Sequence, residues 1–133
     1  MSGYLLDTNT ISALMHAPHG RLAQRVARAG EANVFTSVIV AAELRYGALR
    51  KGSPRLLAEL EGILNEFEVK GLEPPAALHY GRLRTDLEIA GTPIGANDMF
   101  LAAHALALDA TLVSDNEREF SRVRGLKLEN WLR

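Results

Sequence analysis

The sequence predicts an α/β fold with a mainly parallel central β-sheet flanked by α-helices. Two observations carry this. Short continuous apolar runs, Tyr4-Leu5-Leu6, Val34-Phe35-Thr36 and Thr111-Leu112-Val113, suit strands buried on both faces. Segments with helical start and stop signals stand between them, and that alternation favours parallel pairing through helical crossovers. A third observation bounds the size. A chain of 133 residues, with no linker, repeat or low-complexity tract, makes one domain spanning 1–133.

The elements follow in order. After the Tyr4–Leu6 strand, helical sequence runs from Thr8 to about Met15, and Pro18 and Gly20 break it. A second helix covers Arg21 to Ala29, with Leu22, Val26 and Ala29 on one face and Gly30 as its stop. Val34-Phe35-Thr36 is the next strand, and Ser37 caps a helix through about Arg50 that ends at Gly52. Ser53-Pro54 opens the following helix with a capping hydroxyl and proline in first position. Its apolar stripe is Leu56, Leu60, Ile63, Leu64 and Phe67. A strand is expected at Phe67-Glu68-Val69. Pro74 and Pro75 open a helix that closes near Gly91, and Thr92–Gly95 is a loop. Asn97 is expected to cap a helix reaching Leu108, apolar nearly all round and therefore buried on several sides. The Thr111–Val113 strand follows, and Leu126–Leu128 is expected as a last, edge strand.

Composition excludes several classes. Hydrophobic residues make up 47% of the chain, enough to offset chain entropy, so bulk disorder is excluded. With no cysteine there is no disulfide scaffold, thiolate zinc site or thiol catalysis, which fits a reducing, cytoplasmic compartment. The start reaches Asp7 after a very short apolar run, which is not a signal peptide, and no apolar stretch is long enough for a membrane. The formal charge is -1, so any nucleic-acid contact must concentrate positive charge locally.

In a parallel sheet, working residues gather outside the carboxyl ends of the strands. Asp7 directly follows the first strand, Asp115-Asn116 follows Thr111–Ser114, and Asp98 opens the buried helix. Glu43 is the odd member. It shares a helix face with Ile39 and Tyr46, residues expected in the core, where a carboxylate is expensive unless a cation meets it. Arg45 or Arg50 could serve, but a metal ion serves better. Carboxylates converging without counter-charge repel and rise in pKa, and Mg²⁺ or Mn²⁺ removes that conflict. Oxygen-only donors suit these hard cations. Such ions activate water and stabilise the leaving oxygen in phosphodiester hydrolysis.

These residues also carry a family resemblance. LLDTN at 5–9, AAELRYGA at 41–48, PIGANDMFLAAHAL at 93–106 and LVSDNEREFSRVRGLKLENW at 112–131 run nearly end to end. Together they resemble PIN-domain ribonucleases, and among these the VapC toxins of type II VapBC toxin–antitoxin pairs. The resemblance implies a PIN domain and a Mg²⁺-dependent endoribonuclease that hydrolyses RNA phosphodiester bonds with metal-activated water. It assigns Asp7, Glu43 and Asp98 to the metal-binding triad and the fourth polar position to Asn116 or the neighbouring Asp115. Thr8 and Asn9 match the signature beside Asp7 and support the site. The implied partners are a VapB-like antitoxin, an RNA substrate and a second copy in a homodimer.

Bland readings compete at each position. Asp7 also suits a helix N-cap, and Asp115 and Asn116 suit a turn. No histidine has a partner at metal spacing, and His104 reads as a packing residue. Trp131 reads as an anchor. Arg21, Arg25 and Arg28 make one helix face basic, where solubility suffices as an explanation, whereas Arg45 and Arg118 are nearest the site in sequence and could meet phosphates. Aromatics, at 6%, are too few for extensive base stacking. A haloacid-dehalogenase-type phosphatase would need a second aspartate at position 9, and a receiver domain a lysine near Ser114. The nucleotide-binding glycine motifs are missing. The rival from another class is a catalytically weak PIN-like module acting mainly through protein assembly.

Overall fold

A computed structural model describes residues 3–133. The strands are β1 (Tyr4–Leu6), β2 (Val34–Ser37), β3 (Glu68–Lys70), β4 (Thr111–Val113) and β5 (Lys127–Glu129). They form one sheet in the order β3-β2-β1-β4-β5. Every pairing is parallel, and Leu5 lies level with Phe35 on one side and Leu112 on the other. Parallel neighbours need crossovers, which the helices supply. These are α1 (Thr8–His16), α2 (Arg21–Ala29), α3 (Val38–Lys51), α4 (Pro54–Leu64), α5 (Pro75–Ala90), α6 (Ala96–Ala107) and α7 (Glu117–Phe120).

The central strands are dry, with Leu5, Leu6, Leu112 and Val113 fully buried. Their continuous apolarity is the direct consequence of helical cover on both faces. Local capping chemistry sets most helix ends. The Ser37 hydroxyl accepts from the Ile39 N–H at 3.0 Å, and the Ser53 hydroxyl from the Leu56 N–H at 3.1 Å. Gly52 and Gly91 close α3 and α5 in the left-handed conformation, as expected of glycine. Gly3 is required at the foot of β1. Its φ is +76°, and a Cβ there would stand 2.8 Å from the Asn33 carbonyl oxygen.

Three local expectations shift. β3 and β5 each begin one residue later than predicted, which is the usual uncertainty at the ends of three-residue strands. Asn97 does not cap α6. Gly95 holds that position, and Asn97 lies inside the first turn with its amide donating to Glu43 at 3.4 Å. The helix that follows is buried through Met99, Leu101, Ala102, Ala103 and Ala105, but Phe100 stays 37% exposed and stacks on Tyr80, ring centroids 4.3 Å apart. The short helix α7 has too few residues to show a periodic pattern in the sequence.

Leu112 packs at the centre of this arrangement, so Leu112→Ala should cost about 3 kcal/mol of stability. Denaturant titration would show the loss as a lowered midpoint.

Candidate active site

The order β3-β2-β1-β4-β5 reverses direction at β1, so a crevice opens between the carboxyl ends of β1 and β4. Three hydrogen bonds lock those ends together. The Asp7 N–H donates to the Val113 carbonyl at 3.1 Å, and the Thr10 hydroxyl donates to the same carbonyl at 3.2 Å. The Thr36 hydroxyl donates to the Leu6 carbonyl at 2.8 Å and ties in β2.

Asp7 stands in this junction with 5% of its surface exposed. One oxygen caps α1 by accepting from the Thr10 N–H at 2.9 Å. The helix-cap reading of Asp7 is therefore correct, and it accounts for only part of the carboxylate. Burial pushes the Asp7 pKa up. Hydrogen bonds from Ser114 and Thr10 pull it down, and the Asp115 charge adds to the rise.

Asp98, in the first turn of α6, is raised from 3.8 to about 6. Desolvation is the main cause, followed by repulsion from Glu119, Glu43 and Asp7. Glu43 accepts from the Thr8 hydroxyl at 2.8 Å and from the Asn97 amide at 3.4 Å. Asn9 donates to Asp115 at 3.1 Å. Thr8 and Asn9, the two residues after Asp7, thus each steady one acidic side chain.

The structure brings Asp7, Glu43 and Asp98 into one electrostatic neighbourhood, as expected. At the fourth position it places the Asp115 carboxylate within reach of Asn9 and Asp7. Asn116 lies next to it at the N-cap of α7, where its backbone N–H donates to the Ser114 hydroxyl at 2.9 Å. Glu119 was missed. Of the neighbouring charges it raises the Asp98 pKa most, and only the fold of α7 brings it there. The sequence signal, an acidic residue in a short helix after a strand-end aspartate, is too common to single it out.

Two sequence arguments need correction. Glu43 shares its face with buried Val40 and half-buried Ile39, but Tyr46, expected in the core, is 65% exposed. The half-buried position of Glu43 comes from α3 crossing over the strand ends beside α1. Nor does Arg45 serve Glu43 or reach toward the site. Its guanidinium forks onto Glu61 of α4, at 2.8 and 2.9 Å. His104 is the packing residue it was expected to be, 1% exposed with Nδ1 2.8 Å from the Ser37 hydroxyl.

Among the described residues, no lysine or arginine forms an ion pair with Asp7, Glu43, Asp98, Asp115 or Glu119. No group of three or more acidic, histidine or cysteine side chains there stands close enough together to hold a metal ion as it lies. An all-oxygen, under-compensated group of this kind fits Mg²⁺, which keeps several waters and takes only one or two carboxylates directly. It does not fit a soft-metal site, since neither thiolate nor paired imidazole is present.

The PIN-domain family model matches residues 4–126. Over 130 residues the chain is 38% identical to the Ribonuclease VapC2 of Rickettsia felis, covering 96% of this chain and 97% of that one. The chain belongs to the VapC ribonucleases of the PIN-domain family. It is likewise 34% identical over 132 residues to the tRNA(fMet)-specific endonuclease VapC of Salmonella typhimurium, covering 98% and 99% of the two chains. The crystal structure of VapBC2 from Rickettsia felis, bound to a promoter DNA fragment, matches with a TM-score of 0.91 and 35% identity over 96% of this chain and 98% of that chain. DNA-bound VapBC from Salmonella typhimurium matches with a TM-score of 0.92 and 34% identity over 98% and 99%. The VapC fold is thus shared over nearly the whole chain.

The raised Asp98 pKa makes a stability prediction for the metal-free protein. Below about pH 4 both folded and unfolded Asp98 are protonated and the shift contributes nothing. As pH rises from there toward 6, the unfolded chain ionises first and the folded state loses stability. Without divalent ions, Asp98→Asn should therefore raise the melting temperature at neutral pH, a stabilisation of about 1 kcal/mol after allowance for partial solvent screening. Near pH 4 the two proteins should melt together.

Proposed function

We propose that this VapC-family chain is a Mg²⁺-dependent endoribonuclease and the toxin of a type II toxin–antitoxin pair. The observation that supports it most is the group of acidic side chains at the β1–β4 crevice, to which no lysine or arginine among the described residues is ion-paired. Asp7, Glu43 and Asp98 would hold the ion, with Asp115 and Glu119 beside them and Asn116 at the rim. When bound, Mg²⁺, or Mn²⁺ in its place, supplies Lewis acidity that lowers the pKa of water and offsets charge at the phosphate.

The chain's own residues do the positioning. The Thr10 N–H and the Ser114 side chain fix Asp7 in the strand junction, so its carboxylate presents one orientation. Thr8 and Asn97 hold Glu43 from two sides. Asn9 holds Asp115. Attack on an RNA phosphodiester by water, with no covalent protein intermediate, needs no nucleophilic side chain. The nearest packed histidine, His104, is committed to Ser37.

The proposed partner is a VapB-like antitoxin. A groove of about 270 Å³ runs between α1, α3 and α4, lined by Met15, Leu44, Leu56 and Leu60, with Thr8 and Glu43 at one end. A short antitoxin segment could bury apolar side chains there while an arginine forks onto the acidic cluster in place of the metal. A second hollow, lined by Leu14, Ala23, Val26 and Phe67, extends that surface onto α2. Tyr46, Leu49, Leu78 and Ile89 leave apolar surface on α3 and α5 for a second copy in a homodimer. No helix of the described residues is long and apolar enough to cross a membrane, and a cytoplasmic location belongs to the same proposal, since that is where its RNA substrate would be met.

Purified protein should cut RNA with Mg²⁺ or Mn²⁺ and stop in excess EDTA. Asp7→Asn or Asp98→Asn should lower the rate by about three orders of magnitude while circular dichroism stays unchanged. Cleavage persisting in EDTA would refute the metal mechanism. In the antitoxin complex, Mg²⁺ should bind more weakly than in the free chain. Equal uptake with undiminished cleavage would show that the crevice is not what the antitoxin covers.

A further inference from the structure

A polyanion approaching this protein meets an acidic crevice first, and the chain as a whole carries a formal charge of -1. Positive charge must therefore be concentrated near that crevice, and part of the arginine set is already committed. Arg45 of α3 is closed on Glu61 of α4, and Arg55 and Arg84 on Glu59 and Glu88 one turn along their own helices. Arg50, Arg82, Arg118 and Arg124 make no ion pair among the described residues, but only Arg21 and Arg28 stand together on one helix face beside a hollow. Both are exposed on α2 and make no side-chain hydrogen bond or ion pair among the described residues.

They border a hollow of about 340 Å³ between α2 and the C-terminal segment, whose lining also includes Arg25, Asn130, Trp131 and Arg133. Arg25 is the hollow's floor. Its guanidinium lies 4.3 Å from the Trp131 ring centroid and reaches Glu129 at 3.4 Å. Tyr4 closes the other side of that indole, ring centroids 5.0 Å apart. Trp131 is consequently covered and offers no free face to a base. The C-terminal wall leads back to the acidic cluster. The Asn130 amide and the Arg133 guanidinium both donate to Glu117, at 3.0 and 2.8 Å. Glu117 begins α7, the helix that carries Glu119.

We propose that Arg21 and Arg28 form a second, non-catalytic contact for RNA, gripping its phosphodiester backbone at the hollow between α2 and the C-terminal segment. The inference rests on the ribonuclease reading for its choice of polyanion. Arg21 and Arg28 stand seven residues apart on one helix, about 10 Å along its axis, and so meet different phosphates. Guanidinium forks on phosphate oxygens suit this geometry. Because the indole is covered, the hollow senses charge and not base identity, and its contribution to affinity is independent of sequence.

The test uses the full chain carrying Asp98→Asn, so that RNA stays intact, and a fluorescein-labelled single-stranded RNA of mixed sequence as probe. Binding is titrated at several KCl concentrations. Adding Arg21→Ala and Arg28→Ala should weaken binding roughly 10-fold and lower the log–log salt slope by about 1.4, at about 0.7 per lost contact. Arg21→Lys with Arg28→Lys should recover most of the slope, because an ammonium still neutralises a phosphate. Arg82→Ala, on the exposed face of α5, should change neither quantity. If the double alanine variant, with an unaltered melting curve, binds with the parent's affinity and slope, the hollow is no RNA contact. If it binds RNA normally but loses affinity for an antitoxin, the hollow belongs to a protein partner and the proposal falls. If the parent binds RNA through these arginines but the Asp98 protein cuts nothing with Mg²⁺, the ribonuclease reading fails while the phosphate contact stands.

Discussion

A buried carboxylate without a cation beside it is the constraint on which the rest of the structure depends. Asp7 sits at the end of the central strand, almost fully removed from water. An ionised group in such a place is costly, and burial accordingly raises its pKa. What makes the position tolerable is the polar collar around it, the N–H and hydroxyl of Thr10 and the side chain of Ser114. The Thr10 donors are local, but Ser114 stands beside Asp7 only because β1 and β4 end level with one another, Leu6 opposite Val113. The register of the sheet and the chemistry of the crevice are thus one requirement.

The same junction explains why the acidic groups come from every part of the chain. Parallel strands point their carboxyl ends the same way, so the residue after each strand joins a common rim. Asp7 and Asp115 arrive by that route. Glu43 and Asp98 arrive on helices that start at or near the rim, α3 after β2 and α6 before β4. Neutral donors then hold them singly, Thr8 for Glu43 and Asn9 for Asp115. Repulsion among the carboxylates is left uncompensated by the protein, and that stored cost favours whatever dication neutralises it.

Charge is sorted spatially. Exposed ion pairs such as Arg45–Glu61 and Arg55–Glu59 neutralise arginines locally and contribute little to stability. What they do is remove those cations from the set available to a polyanion. The potential outside the crevice is then shaped by the arginines left unpaired among the described residues, and α2 presents two of them on one face. Arg25, between these two, is instead anchored on Trp131 and Glu129, so the face is partly rigid before anything binds.

The sequence by itself determined the fold class and most element boundaries, because these rest on local physics. A strand buried on both faces must be continuously apolar, as Tyr4–Leu6 and Thr111–Val113 are. A serine before a helix, as at Ser37 and Ser53, satisfies a backbone donor wherever the helix ends up. Asp7, Glu43 and Asp98 were legible as strand-end or helix carboxylates in a recognisable set, although Tyr46, placed with Glu43 on an apolar face, is exposed. Tertiary structure alone decided the rest. Nothing local distinguishes Asp115 from Asn116 until Asn9, 106 residues earlier, turns its amide onto Asp115. Nothing local marks Glu119 until α7 folds toward Asp98, or withdraws Arg45 until Glu61 meets it on α4. Caps and strand burial depend on a residue and its near neighbours, whereas a shared electrostatic site depends on distances that only chain closure sets.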